Sequence, residues 1–493
     1  MINNISDLLE YQSQKIPFNS YLNDFNNAYS FEYFNRLVNK CCNFFQNMKL
    51  KKGDVISICL QNKIEFLILY FACIRFGAIF YLISTNDSEA DLIKKLNFVN
   101  SKIIFVDNEK SYEQIKKKTI SFLVNKSFIN ELNYYENKYE TQRILDNDIA
   151  GYYSSSGTTN ESKTICYTNK NMISGIYTVY NSNLFKNVKK HLCFLPLFHT
   201  SALRYSIKSS LINGSEVFIV KNFWSIKDKI WDIVKDFDIN FFQMVPSIVN
   251  IILKNPNTNK INNLSNNIHF CGCGSSFLPQ EHQEEFENKF NVKLLNLYGL
   301  SEIGASHFED PSEKRIGSIG KPFDKYKVKI LNSNYEECEN LEPGQISVKG
   351  DPVFKNYLKK DSKNLFKKGY FLTGDYGYRD SDGFYFFIDR TKDLIIKGGT
   401  NISPNEIDKV INDFGGVIES ATIPIKNEFY GEVPYTFIVL DNNFSFNVND
   451  LIIFCKKNLG DFKTPIDFEI VKEIPKGPSG KVLKRLLKKN DNK

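Results

Sequence analysis

A run of small hydroxyl side chains around a glycine is the first feature of the sequence that suggests chemistry. Residues 154–160 read SSSGTTN, and Lys163 follows shortly after. Small residues let backbone N–H groups approach an anion closely, the hydroxyls add hydrogen-bond donors, and the lysine adds positive charge. The run is not a Walker A loop, because the pattern GxxxxGK(S/T) is absent. Taken alone, it fits a serine-rich surface loop at least as well as an anion-binding loop.

The same segment resembles the phosphate-loop signature of the adenylate-forming superfamily, which includes acyl-CoA synthetases, peptide-synthetase adenylation domains and beetle luciferases. The family pattern is roughly (S/T)SG(S/T)TGxPKG, and the chain departs from it at Asn160, Ser162 and Thr164. The resemblance implies a loop that binds nucleotide phosphates, with Thr158 also taking part in catalysis and magnesium binding. The implied phosphate-binding residues are Ser155, Ser156, Gly157, Thr158, Thr159 and Lys163.

Further motifs of the superfamily follow in the family's order. Residues 196–199 (PLFH) resemble a motif whose histidine borders the acyl site, which implies that place, and a catalytic role, for His199. The alternative for a lone histidine after an apolar strand is a buried core residue with satisfied hydrogen bonds. Residues 274–278 (GSSFL) resemble the GAxPL segment, which lines the adenine and acyl pockets. Gly274 and Ser275 are small enough for a flat base to approach the end of a strand.

Residues 296–302 (NLYGLSE) resemble the (G/N)xYGxTE motif and follow the apolar run VKLL, where α/β folds place ligands. The resemblance implies that Tyr298 stacks on adenine and that Ser301 bonds the α-phosphate. Glu302 is the expected magnesium ligand and a catalytic residue, since hard cations select carboxylate oxygen. Its alternative is a carboxylate at a helix start that satisfies free backbone N–H groups. The residues expected at the nucleotide are Leu297, Tyr298, Gly299 and Ser301.

Two later motifs add to the expected nucleotide site. An LTGD segment ends at Asp375 and resembles the TGD motif, whose aspartate is suited to accept both ribose hydroxyls. Residues 387–393 (FIDRTKD) resemble the family's DRxKD hinge. The resemblance implies that Phe387 and Arg390 contact the nucleotide and that Lys392 is the pivot of a domain rotation.

The last two motifs concern the acceptor and the adenylation step. Lys397, Gly398 and Gly399 resemble a family segment, and the two glycines suit a narrow passage for the pantetheine arm of coenzyme A. Residues 474–481 (IPKGPSGK) resemble the PxxxxGK motif. Lys481 is expected to reach the substrate carboxylate and the α-phosphate oxygens together and to offset charge in the transition state. Its alternative is a surface lysine in a basic tail.

The elements that must carry these motifs can be predicted from the apolar pattern. Short apolar runs alternate with stretches such as residues 283–290 (QEEFENKF), which predicts parallel sheets covered by helices. From about Lys327, four glycine-separated runs predict a more antiparallel segment, a distorted β-barrel. We therefore expect an α/β fold with a large N-terminal AMP-binding domain over residues 1–391 and a small, mobile α+β domain over residues 392–493.

Composition argues against several other classes of protein. The net charge of +7 is spread over 63 basic and 56 acidic residues, a weaker bias than nucleic-acid binders have. Ten cysteines without metal-type spacing indicate a reducing compartment. Residues 66–83 predict a buried helix, a turn and a core strand, because Arg75 would cost about 2.5–3.5 kcal/mol at a bilayer centre. We expect no signal peptide, no membrane span and a cytoplasmic location.

The resemblance covers nearly the whole chain, from about Ser6 to Leu487, and implies two half-reactions. A carboxylate attacks the α-phosphate of ATP bound with magnesium, and a thiol then displaces AMP from the acyl-AMP. Coenzyme A is the leading acceptor, and we expect no fused carrier domain because the chain ends about a dozen residues after Lys481.

Two alternatives stay open. One is a stand-alone ligase that loads a separate acyl carrier protein, and the other is a non-catalytic sensor of acyl-AMP or nucleotide. The presence of Lys481, Glu302 and Asp375 argues against the sensor. The expected walls of the acid pocket mix small and apolar residues, at 199–203, 244–247, 274–277 and 303–306.

Overall fold

The computed structural model describes residues 2–154, 163–255, 268–441, 446–476 and 482–488. The chain forms two compact units, the first from residues 1–327 and 348–369 and the second from residues 328–347 and 370–493. The first unit is α/β and the second is a smaller α+β unit, which confirms the predicted fold class. The predicted hinge between residues 391 and 392 concerns motion rather than compactness, and it stays a prediction.

The helices and strands follow in chain order. The helices are α1 (Ile5–Lys15), α2 (Phe31–Asn47), α3 (Ile64–Phe76), α4 (Glu89–Val99), α5 (Glu109–Ile115), α6 (Phe128–Leu132), α7 (Asn169–Asn181), α8 (Thr200–Ala202), α9 (Ser209–Asn213), α10 (Ile230–Asp236), α11 (Pro246–Lys254), α12 (Gln280–Phe290), α13 (Pro404–Asn412) and α14 (Val448–Lys463). The strands are β1 (Ser20–Asn23), β2 (Ala28–Ser30), β3 (Val55–Cys59), β4 (Ile79–Leu82), β5 (Ile103–Val106), β6 (Ser121–Leu123), β7 (Ile149–Ser154), β8 (Thr164–Thr168), β9 (Lys190–Cys193), β10 (Glu216–Ile219), β11 (Phe241–Met244), β12 (Phe270–Gly274), β13 (Leu294–Leu300), β14 (Gly304–Phe308), β15 (Lys321–Pro322), β16 (Tyr326–Leu331), β17 (Gly344–Gly350), β18 (Asn356–Tyr357), β19 (Phe366–Lys367), β20 (Tyr370–Arg379), β21 (Tyr385–Arg390), β22 (Ile395–Lys397), β23 (Thr400–Ile402), β24 (Val417–Asn427), β25 (Gly431–Leu440) and β26 (Phe468–Ile470).

The first unit contains two sheets with parallel centres. The seven-stranded sheet has the order β18-β8-β7-β4-β3-β5-β6, and its strands from β7 to β6 are parallel neighbours. The nine-stranded sheet has the order β15-β14-β13-β12-β11-β9-β10-β1-β2 and is parallel from β13 to β1. Every residue of β3 and β11 is buried, as expected for strands that are covered on both faces.

The second unit contains the strands that the sequence predicted after Lys327. Strands β20 and β21 pair in antiparallel register, with Asp375 opposite Arg390. A separate sheet has the order β23-β22-β25-β24, with β26 on β25. Apolar residues from α13 and α14, among them Ile407 and Leu451, are fully buried with the isoleucines of this sheet. Each unit therefore has a hydrophobic core of its own.

The apolar stretch at residues 66–83 forms the predicted helix, turn and strand, α3 and β4. Every residue of α3 except Glu65 is buried, and Gly77 ends the helix in the left-handed conformation at φ +80°. Over the part of the chain that the structure describes, no helix has the length and apolar character that crossing a membrane requires.

Arg75 is the charged residue inside this core, and it is 2% exposed. Its Nε donates to Ser6 Oγ at 2.9 Å and its Nη2 to the Ser6 carbonyl at 3.1 Å. Its Nη1 donates to Asn39 Oδ1 at 2.6 Å. These bonds join α3 to α1 and α2, which explains how a buried guanidinium is tolerated here.

We predict that Arg75→Met lowers the free energy of unfolding of the first unit by about 2–4 kcal/mol, because the acceptors around Arg75 lose a charged donor while staying buried. The measurement is urea denaturation followed by the fluorescence of Trp224 and Trp231, which both belong to this unit.

The matched control is Arg36→Met. Arg36 is exposed and pairs with Glu32 at 3.5 Å across one helical turn, so its loss should change the free energy by less than about 0.5 kcal/mol. Equal effects of the two substitutions would contradict the structural role of Arg75.

Candidate active site

Glu302 lies in the tight turn between β13 and β14, at the edge region of the nine-stranded sheet. Its backbone carbonyl accepts a hydrogen bond from Phe354 N at 2.7 Å. Its carboxylate Oε1 accepts one from Tyr357 Oη at 2.8 Å. The alternative of a helix-start carboxylate is wrong, because the residues after Glu302 form the strand β14. The carboxylate is therefore held in place by its own backbone and by one neutral donor.

Tyr357 connects Glu302 to the end of the predicted phosphate loop. It lies on β18, which pairs with β8 so that Tyr357 is opposite Ile165. The ammonium of Lys163 lies 5.0 Å from the centre of the tyrosine ring, within cation–π distance. One side chain thus contacts both the predicted magnesium ligand and the predicted phosphate-binding lysine. Tyr357 was not among the site residues predicted from the sequence, and it lies in the segment KNYLKK at residues 355–360.

The ends of β12 and β13 bring the other predicted nucleotide residues together. Gly274 ends β12 and is opposite Leu297, which is buried, and Ser275 follows with φ +69°. Gly299 packs so closely against β14 that a Cβ atom would lie 2.0 Å from the Gly304 carbonyl oxygen. The structure thus gives Gly299 a packing role, and contact of these residues with a nucleotide stays a prediction.

Tyr298 and Ser301 lie on the same hairpin. The Tyr298 ring is half-buried and meets the His307 ring edge-on, with centroids 5.3 Å apart. Ser301 is half-buried at the start of the turn. The arrangement leaves part of the tyrosine ring exposed, as stacking on a base requires, and the predicted roles stay predictions.

His199 precedes α8, at the end of the loop that follows β9 in the interior of the nine-stranded sheet. Asn62 holds this loop, because its side chain accepts from Leu197 N at 2.8 Å and donates to the Leu195 carbonyl at 2.9 Å. Burial lowers the pKa of His199 to about 4. His199 is therefore a neutral imidazole at physiological pH. Such a ring suits the border of an acyl pocket better than the binding of a carboxylate.

A pocket opens beside the β13–β14 hairpin. Together with its mouth it contains about 380 Å³ of space that protein atoms do not fill. We call it the cation pocket, because two basic side chains line it. Its walls include Tyr167, Met172, Ile176, Arg204, Lys208 and Gly304. The sequence predicted residues 199–203 and 303–306 near a pocket, and Arg204 lies one residue beyond the first of these segments. Two basic residues four positions apart were the available signal.

The second unit places Asp375 and Arg390 against each other. Asp375 is 2% exposed, and its Oδ1 lies 2.8 Å from Arg390 Nη1. Arg390 Nη1 also lies 3.3 Å from the Thr373 carbonyl oxygen. The cross-strand register of β20 and β21 creates this pair, so the two residues that the sequence predicted at the ribose are neighbours. Their contact with a nucleotide stays a prediction.

The remaining predicted residues of this unit lie nearby in sequence. Phe387 is half-buried on β21, and Lys392 is exposed in the turn that follows the strand. Lys397 donates to the Phe462 carbonyl at 2.6 Å, and its ammonium also lies against two aromatic rings. Gly398 and Gly399 form the hairpin turn between β22 and β23, with φ of +54° and +81°. Coenzyme A binding and the hinge both stay predictions.

Several predicted residues lie outside the described part of the chain. They are Ser155, Ser156, Gly157, Thr158, Thr159 and Lys481. Their assignments stay predictions that depend on the motifs alone.

Two family models match the chain. The model described as AMP-binding enzyme matches residues 9–358, and the model described as AMP-binding enzyme C-terminal domain matches residues 406–481. The first match includes the motifs from the predicted phosphate loop to Glu302, and the second ends at Lys481.

Curated relatives are coenzyme A ligases. The sulfoacetate–CoA ligase of Cupriavidus necator is 31% identical over 333 residues, which cover 66% of this chain and 64% of that protein. The 2-succinylbenzoate–CoA ligase of Bacillus licheniformis is 28% identical over 89% of this chain and 90% of that protein.

Solved structures agree in fold over nearly the full length. The O-succinylbenzoate coenzyme A synthetase of Bacillus subtilis, in complex with ATP and a magnesium ion, matches with a TM-score of 0.86 and 26% identity over 97% of this chain and 98% of that one. ATP-bound MatB from Rhodopseudomonas palustris shares the fold, with a TM-score of 0.91 and 23% identity over 98% of both chains. The chain therefore belongs to the AMP-binding enzyme family, as an acid–thiol ligase of the acyl-CoA synthetase type that uses ATP, magnesium and coenzyme A.

Proposed function

We propose that this chain joins a small carboxylic acid to AMP and then passes the acyl group to coenzyme A, with Glu302, Lys163 and Lys481 as the charged groups of the first step. The observation that carries the assignment is the contact of Tyr357 with both Glu302 and Lys163. It places a carboxylate and an ammonium around one tyrosine, as a site for a metal–triphosphate requires. The relatives act on sulfoacetate and 2-succinylbenzoate, which supports a small organic acid as substrate.

Glu302 fits the expected magnesium ion. The Tyr357 hydroxyl donates a hydrogen bond to one carboxylate oxygen of Glu302. Because this donor is uncharged, it does not cancel the charge of the carboxylate. Magnesium in nucleotide sites is commonly bound through one or two carboxylates, phosphate oxygens and waters, so a single protein carboxylate suffices. When bound, the ion supplies positive charge that offsets the phosphates.

The first half-reaction joins two anions, and positive side chains must reduce their repulsion. A carboxylate oxygen of the acid forms a bond to the α-phosphorus of ATP while the bond to pyrophosphate breaks. Lys163 binds phosphate oxygens, and Lys481 contacts both the incoming carboxylate and the α-phosphate. Asp375 and Arg390 are proposed to hold the ribose.

In the second half-reaction, the thiol of coenzyme A attacks the acyl carbonyl carbon and AMP leaves with the electron pair of the broken bond. We propose that the arm of coenzyme A passes Gly398 and Gly399. A Cβ atom built at Gly399 would have no other atom within 4 Å, so the space beside this glycine is open. Lys397 supports that turn through its bond to Phe462.

The function itself is tested by incubating the protein with ATP, magnesium and a panel of acids while pyrophosphate, AMP and thioester are measured. A separate acyl carrier protein stays as the alternative acceptor. The two are distinguished by comparing AMP release in the presence of coenzyme A with AMP release in the presence of carrier protein. If none of the acids in the panel causes pyrophosphate release, the first half-reaction is contradicted and a sensor is favoured. We also propose a cytoplasmic location, which the ten buried, free cysteines support.

We predict that Glu302→Gln lowers the rate of magnesium-dependent pyrophosphate release by more than about tenfold and raises the magnesium concentration needed for half-maximal rate, because an amide is a weaker ligand for a hard cation. The measurement is a magnesium titration of pyrophosphate release.

Tyr357→Phe serves as the graded comparison, since it removes only the hydroxyl that donates to Glu302. It should shift the magnesium dependence in the same direction and by less than Glu302→Gln. A wild-type magnesium titration for Glu302→Gln would show that Glu302 is no metal ligand.

We predict that Lys481→Ala reduces acyl-AMP formation by a factor on the order of 100 to 1,000, because the positive charge is needed while two anions meet. Thioester formation from supplied acyl-AMP should stay near the wild-type rate, since no such repulsion arises there. Equal losses in both half-reactions would indicate a structural role for Lys481. Lys476→Ala is a matched control, because that lysine pairs with Glu419 at the surface.

We predict that Lys392→Pro keeps acyl-AMP formation and loses thioester formation, because a hinge must change its backbone angles and proline fixes φ near −65°. Each half-reaction is measured separately, with Lys392→Ala as the control that keeps backbone freedom. Normal thioester formation from supplied acyl-AMP by Lys392→Pro would exclude a hinge at this residue.

A further inference from the structure

The cation pocket contains two basic side chains on one helical segment. Arg204 and Lys208 lie on the π-helical turn Leu203–Lys208, which directly follows α8. Residues four positions apart on a helix extend to the same side, so both side chains line the same pocket. π-Helical turns are rare and occur frequently at functional sites. The segment therefore presents two basic side chains to one pocket.

In the part of the chain that the structure describes, neither basic side chain is paired with an acid. Within the described residues, no acidic side chain forms an ion pair with Arg204 or Lys208. Arg204 instead lies 5.8 Å from the centre of the Tyr205 ring. Burial and, secondarily, the charge of Arg204 lower the pKa of Lys208 to about 7. Two neighbouring like charges in a partly dry pocket are unfavourable unless an anion joins them.

A buried hydroxyl in the same wall also lacks a partner. Tyr167 is 5% exposed, lines the pocket, and its hydroxyl has no hydrogen-bond partner among the described residues. A tyrosine hydroxyl is a donor that is normally satisfied when buried. An oxyanion in the pocket would accept from Tyr167 while its charge pairs with Arg204 and Lys208. Arginine suits this task because its planar fork matches carboxylate, sulfonate and phosphate oxygens.

The position of the pocket relates it to the acid rather than to the nucleotide. Gly304, two residues after Glu302, forms part of its wall, and a Cβ atom at this position would lie 3.6 Å from Arg204 Nη2. The helical run that carries both cations begins directly after His199, the residue assigned to the border of the acyl site. The pocket is thus lined by Gly304, from one segment expected at the acid, and by two basic residues that directly follow another such segment, residues 199–203.

We infer that the cation pocket binds a second anionic group of the acid substrate, so that the enzyme selects acids with one carboxylate to activate and a further carboxylate or sulfonate at the other end. This inference rests on the proposed function, because it assigns the far end of the same acid. Arg204 and Lys208 are binding residues in it, and Tyr167 adds a neutral donor.

The experiment compares matched pairs of acids. Each pair contains a dicarboxylic or sulfonated acid and the same acid with its far end neutral, as a monomethyl ester or a methyl sulfone. We expect wild-type kcat/KM for pyrophosphate release to favour the anionic member by at least about tenfold. Arg204→Gln and Lys208→Met should each lower kcat/KM for the anionic member by about 10-fold to 100-fold and leave the neutral member within about twofold. Lys186→Met, an exposed lysine on the loop after α7, is the control and should change neither.

Binding is measured independently of turnover, as the rise in unfolding temperature that each acid causes with a non-hydrolysable ATP analogue bound. If no acid gives pyrophosphate, the proposed function fails, and this shift alone decides the inference. Equal shifts for both members of each pair, or equal kcat/KM values that the variants leave unchanged, would overturn the inference while leaving acid activation intact. Weaker binding of the ATP analogue by Arg204→Gln, without a change in acid preference, would assign the cations to the nucleotide and would also overturn it.

The unfolding temperature of the acid-free variants separates binding from support of the fold. Because Lys208 is half-buried and forms no ion pair with the acidic residues that the structure describes, Lys208→Met should leave the unfolding temperature unchanged or raise it. A fall in stability together with equal losses for both members of each acid pair would indicate a packing role and would count against the inference. Arg204→Lys keeps one charge and should recover part of the preference for the anionic acid.

Discussion

The hydrogen bond from Tyr357 to Glu302 is the contact on which the arrangement of the first unit's site depends. The two residues are 55 positions apart, and they belong to different sheets, Tyr357 through β18 and Glu302 through the β13–β14 turn. The bond therefore connects the two sheets near their edges, where the predicted ligand residues lie. Because the donor is a neutral hydroxyl, it orients the carboxylate without cancelling its charge, which a lysine or arginine at this position would do.

The second unit solves a similar problem with a different partner. Asp375 is almost fully buried, and an isolated carboxylate in such a place would be strongly destabilising. Arg390 supplies the opposite charge from the neighbouring strand and fixes the position of the carboxylate. The half-buried Glu302 does not need such compensation, since it retains contact with solvent. The difference in partners thus follows from the difference in burial.

Apolar patterning was sufficient to predict most elements of the first unit, because buried parallel strands such as β3 and β11 are continuous apolar runs. It also predicted the helix, turn and strand around Arg75. Motif spacing located Glu302, Asp375 and Arg390, because these residues lie within short, recognisable segments. The pairing of Asp375 with Arg390 depends on strand register, which no local pattern contains.

The site residues that were not predicted from the sequence owe their roles to segments far away in the chain. Tyr357 gains its role only when β18 pairs with β8, and nothing in its own segment indicates Glu302. Arg204 and Lys208 follow the expected pocket wall directly, but a basic residue on a helix is most often solvated. Their position in a pocket becomes visible only in the folded chain, where residues of α7 and Gly304 form the other walls.

The π-helical turn at residues 203–208 has an evolutionary consequence. Such a turn contains one residue more than a regular helix needs, and each residue of an α-helix rotates the following side chains by about 100°. Loss of a single residue here would restore a regular helix and turn Lys208 away from the pocket, while the sheets that hold Glu302 and His199 would keep their positions. A ligase of this architecture can therefore change the class of acid that it accepts by one small deletion, without rebuilding its nucleotide site.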